Sequence, residues 1–148
     1  MPGDTISYEP QPAGGGGGGG GAVPIFMNNV AVSFGASRCF LDDKGTGTYT
    51  ENQTAGRRMH VAGTISKMWV DTLDGSAASG ACVVKIRNKG VADISGISLT
   101  VADGATRGES EGSATITGTE ELIFACDAAT GWGSNYFRCG FLFTPAAT

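Results

Sequence analysis

The chain has 148 residues, enough for one domain with a core of its own. It is 41% hydrophobic, too apolar for a disordered chain, and its net charge of −4 with scattered Lys and Arg argues against phosphate-backbone binding. No apolar run approaches the roughly 18–20 residues of a membrane span. The first ten residues lack the basic and apolar regions of a signal peptide, so the expectation is a soluble chain made in a cytoplasm.

Residues 1–24 read as an arm. Pro2, Pro10, Pro12 and Pro24 forbid regular helix, and the eight successive glycines Gly14 to Gly21 have no side chains to pack. Any order in this segment must come from a partner, with Ile6, Tyr8, Val23, Ile25 and Phe26 as the expected anchors.

From residue 25 to 148 the pattern becomes alternation with period two. Val30, Val32 and Phe34 share one side of a strand. In the stretch Gly63 to Val70, strict alternation sets Thr64, Ser66, Met68 and Val70 against Ile65, Lys67 and Trp69. Cys82, Val84 and Ile86 point inward, with Lys85 and Arg87 outward. Ile97, Leu99 and Val101 follow, then Ala114 and Ile116, then Leu122, Phe124 and Cys126. The last strand places Phe137, Cys139, Phe141 and Phe143 on a single face. Turn signals separate the strands at Asp42 to Gly45, Leu73 to Ser76, Asn88 to Gly90, Ala102 to Gly104 and Thr130 to Gly133. No window carries a capped helical period. The pattern predicts an all-β protein: a jelly-roll-like antiparallel β-sandwich behind an extended Gly-rich N-terminal arm.

The candidate chemical motifs lack the context they require. Gly108 to Gly112 matches G-x-S-x-G, but Ser110 falls in an acidic Gly/Ser loop before a strand rather than on a strand-to-helix turn. The glycine block formally satisfies G-x-G-x-x-G with no strand before it or helix after it. His60, the sole histidine, has no carboxylate or cysteine neighbour in the sequence. Asp42, Asp43, Asp71 and Asp74 lack calcium-loop spacing, so no catalytic residue, cofactor or metal is expected. Cys39, Cys82, Cys126 and Cys139 form no C-x-x-C pair; they allow three disulfide pairings, and buried thiols are expected. The Gly-rich segment Thr130 to Tyr136, with Trp132, Asn135 and Tyr136, is a possible ligand loop.

Gly63 to Val70, the strand Val83 to Arg87 with its Asn88 to Gly90 turn, Leu99 to Val101, the Glu120-Glu121-Leu122 edge and the closing strand Tyr136 to Phe143 together resemble a β-sandwich domain of tailed-bacteriophage virion proteins. The resemblance covers roughly residues 57–145, with Lys89 interrupting the usual Asn-Gly turn. It implies a non-enzymatic jelly roll, commonly a homotrimer, on a virion assembled in the host bacterial cytoplasm. The expected function is capsid decoration or cement, with the arm attached to major capsid or tail proteins and no nucleic-acid or membrane partner. The alternative is the distal knob of a short head or tail fibre that binds a host-surface glycan.

Overall fold

The computed structural model describes residues 21–34, 38–41, 47, 48, 51, 55–128 and 132–147. Ten strands follow one another: β1 (Val23–Phe34), β2 (Cys39–Leu41), β3 (Gly47–Thr48), β4 (Arg57–Arg58), β5 (Gly63–Thr72), β6 (Cys82–Asn88), β7 (Ala92–Val101), β8 (Arg107–Ile116), β9 (Glu121–Ala128) and β10 (Trp132–Pro145). They form two antiparallel sheets. The first has the order β1-β10-β5-β8; the second has β3-β2-β9-β6-β7, with β4 added to β9. The eight principal strands cross between the sheets in the order of a jelly roll. The all-β sandwich read from the sequence is therefore the fold.

The period-two expectation accounts for the core. Cys82, Val84, Ile86, Leu99, Val101, Ile116, Leu122, Phe124, Cys126, Phe137, Cys139 and Phe141 are all buried between the sheets. Phe124 of one sheet meets Phe141 of the other with ring centroids 6.2 Å apart and planes tilted by 44°. Burial of such rings from facing sheets supplies much of the force that holds two sheets together.

Strict alternation fails in β5. Ile65, Met68 and Val70 are all buried, so the inward parity changes between residues 65 and 68. The cause is a bulge. Lys67 has a φ of 46°, and the pairing with β8 shifts between Ser66 and Met68. One extra residue turns every later side chain to the opposite face.

The G-x-S-x-G segment is strand, not the expected loop. Gly108 to Gly112 lies within β8, with Ser110 opposite Met68 of β5. Its small residues answer to close packing against β7. A Cβ on Gly112 would lie 2.8 Å from the Gly96 carbonyl oxygen, where β7 bulges with a φ of 89° at Gly96. The edges of the two sheets meet there backbone to backbone, which leaves no room for a side chain at Gly96 or Gly112.

The boundary between arm and sandwich also moves. β1 already contains Val23 and Pro24, which stand opposite Phe143 and Leu142 of β10. Pro24 is compatible with a strand here because β1 is the edge of its sheet. The turn signals at Gly75, Gly90 and Gly104 coincide with positive φ values, whereas Asp42 to Gly45 lies outside the described residues.

Candidate functional site

The start of β1, the start of β5 and the end of β10 lie at one end of the sandwich, since Val23 faces Phe143 and Gly63 faces Pro145. The arm enters at this end, and Ala146 donates its backbone N–H to the Ala62 carbonyl there at 2.9 Å. The far end carries the loops 73–81 and 102–106. These are tied together by Ala78 N–H to the Ala105 carbonyl and Gly104 N–H to the Ala78 carbonyl, each at 2.8 Å.

The densest group of charges lies on the outer face of the second sheet. Lys85 and Arg87 project outward from β6, as alternation predicts. Asp93 comes from β7, Asp127 from β9, Arg38 from the residue before β2, and Glu51 from the segment before β4. Arg38 places Nε 2.7 Å from Asp127 Oδ1 and one Nη 2.7 Å from Asp93 Oδ2. Arg87 bonds Glu51 at 2.7 and 3.2 Å and Asp93 at 3.1 Å. Lys85 lies 3.3 Å from Asp127 and 3.5 Å from Asp93. The hydrogen bond from Arg38 holds the Asp127 carboxyl below its ordinary range, and that from Arg87 does the same for Glu51. For Asp93, burial favours the neutral acid, but hydrogen bonds from Arg38 and Arg87 outweigh it and the net shift is downward.

Three cations and three carboxylates leave this lattice without net charge. Its chemistry is that of a staple across β2, β6, β7 and β9 rather than of an ion-binding surface. Beside it, Ile123 and Ala125 face outward from β9 yet are fully buried, packed with Phe40 of β2. The outward positions Lys85 and Arg87 were visible as alternation in the sequence; that Arg38, Asp93 and Asp127 would join them was not.

A second group consists of sulfur. Cys82, Cys126 and Cys139 are fully buried within the core. Cys82 and Cys126 are in side-chain hydrogen-bond contact, which lowers the Cys82 thiol pKa, whereas burial raises that of Cys139. Cys39 stands directly opposite Cys126 in the pairing of β2 with β9. Four residues scattered through the sequence thus converge in the half of the sandwich away from the arm.

The remaining sequence-predicted residues are dispersed. Ile6 and Tyr8 lie outside the described residues. Val23, Ile25 and Phe26 belong to β1, and Ile25 packs partly buried against the core, so it serves the sandwich rather than a free arm. Trp132, Asn135 and Tyr136 are not in a loop: they belong to β10, where Trp132 pairs with Phe34 and Tyr136 with Val30. Long pairing with β1 extends the strand through Gly133, part of the segment that had suggested a turn. Ser110 lies in mid-strand, its Oγ accepting the Gly112 N–H at 3.2 Å, and His60 is exposed near the arm end. Among the described residues no pocket is found, and no group of three or more His, Cys, Asp or Glu is placed to hold a metal ion.

No protein-family description and no curated protein matches the chain. A solved structure described by the words "Bacillus endospore appendages form a novel family of disulfide-linked pili" is similar over 87% of this chain and 95% of that one, with a TM-score of 0.41 and 12% identity.

Proposed function

We propose that the protein is a non-enzymatic structural component of a bacteriophage virion, a capsid decoration or cement protein that attaches through its N-terminal arm and assembles as a homotrimer. The observation that carries this reading is the continuity of the arm with β1. The arm runs directly into a strand of 12 residues that forms the edge of its sheet and contains no charged side chain. Exposed edges are ordinarily blunted by charge or kept short, because their unpaired backbone groups recruit other strands. A long uncharged edge that continues a Gly- and Pro-rich segment suits a chain that docks onto a larger assembly.

Deletion of residues 1–21 tests the proposal. The truncated chain is expected to remain folded, to remain in solution and to be missing from purified virions. Attachment at wild-type occupancy would overturn arm docking and move the contact onto the sandwich. The glycan-binding knob is the competing reading, and retained binding of the truncated chain to host cells would favour it.

A further inference from the structure

We infer that Cys39 and Cys126 form a cross-strand disulfide when the protein meets an oxidising medium, a covalent site separate from the virion reading. The two residues are direct partners in the antiparallel pairing of β2 with β9. Directly opposed residues in such a ladder have Cα atoms about 4.5–5.5 Å apart, inside the ~4.4–6.8 Å span of disulfides.

The next rung of the same ladder is already clamped. Arg38 precedes Cys39 and Asp127 follows Cys126; Arg38 grips the Asp127 carboxylate through two bonds of 2.7 and 3.1 Å. A bidentate guanidinium–carboxylate pair fixes orientation as well as distance. The clamp therefore holds β2, only three residues long, in the register that keeps the cysteines opposed.

The other candidate for Cys126 is Cys82, which touches it. Cys82 pairs with Ala128 and Cys126 with Val84, so these two cysteines stand diagonally on adjacent strands. Diagonal neighbours are about 7–8 Å apart, beyond the range bridged without moving backbone. Cys139 belongs to the opposite sheet, between Val70 and Met27.

The oxidant is a low-molecular-weight disulfide such as oxidised glutathione. One protein thiolate attacks a glutathione sulfur, the glutathione S–S bond breaks, and one glutathione thiolate leaves. The second protein thiolate attacks the protein sulfur of the mixed disulfide and expels the other glutathione. Two protein thiols lose two protons and two electrons, and both glutathiones end as thiols. Cys126 is fully buried, and parting of the short strand β2 from β9 admits the oxidant to it.

The full chain is equilibrated with oxidised glutathione, and its intact mass and non-reducing peptide map are measured. The expected result is a monomer lighter by about 2 Da, with the peptides of Cys39 and Cys126 joined. Cys82→Ser and Cys139→Ser should keep the bridge, whereas Cys39→Ser, in the three-residue strand β2, should abolish it while the chain stays folded. Four alkylatable thiols after denaturation of the treated protein would overturn the inference. So would a bridge mapped to Cys82 or an interchain dimer.

Discussion

Trp69 lies across the backbone of Gly140, its partner on the neighbouring strand of the first sheet. A Cβ built on Gly140 would run into the indole ring, so this glycine is the space the tryptophan occupies. A bare glycine in a strand interior loses packing, and a ring from the next strand restores it.

Gly140→Ala should therefore destabilise the domain by about 1–3 kcal/mol, as overpacking does. In a Trp69→Ala background the same change should cost less, since the ring is gone and only the Ile25 carbonyl oxygen, 2.9 Å from the added Cβ, still crowds the site. A double-mutant cycle by urea denaturation measures this coupling. Equal costs in both backgrounds would show that the ring does not set the constraint.

Phe141 is fully buried at the contact between the two sheets, facing Phe124. Phe141→Ala should cost about 3–5 kcal/mol, the usual range for a core aromatic truncated to Ala. Equilibrium unfolding monitored by circular dichroism checks this, and a loss under 1 kcal/mol would contradict the packing described (about the size of an ordinary surface change).

Glu120 should contribute to the acid sensitivity of the fold. Burial favours its neutral form, but the carboxylate accepts backbone N–H bonds from Thr117 (2.8 Å), Gly118 (2.8 Å) and Thr119 (2.9 Å) and one from the Thr117 hydroxyl (2.9 Å). These bonds win, and the pKa falls from 4.5 to about 2. A carboxyl depressed on folding stabilises the native state above its unfolded pKa, and that contribution is lost as pH falls through the folded value. Thermal midpoints should thus decline between pH 4.5 and about 2, and Glu120→Gln should flatten this decline. An unchanged profile in the variant would assign the acid sensitivity to other carboxylates.

Asp93 contacts all three cations of the outer lattice. Asp93→Ala leaves Arg38, Lys85 and Arg87 facing each other with fewer counter-charges. Because these groups are partly solvated, the cost should be modest, on the order of 1–2 kcal/mol. Salt screens the repulsion, so the deficit should shrink from low salt to 1 M. A salt-independent deficit would point to lost packing instead.

The sequence by itself determined the class of fold and most of the inward face. In strands such as Cys82–Asn88 and the half of β10 from Phe137 to Phe143, alternation is a local property: the pleat sends neighbours to opposite sides whatever they pair with. The turn residues around Gly75, Gly90 and Gly104 were equally local, because positive φ is a demand on one residue. The tertiary structure decided what depends on partners. The bulge at Lys67 reverses parity because β8 and β10 pair with β5 across it, and Gly108 to Gly112 is strand because Gly108, Glu109 and Ser110 pair with β5. Asp93 meets Arg38, and Cys39 meets Cys126, only because β2 is laid against β9 from the far side of the chain. Such contacts join residues many positions apart, and their register is set by how whole sheets close on each other, which no local pattern encodes.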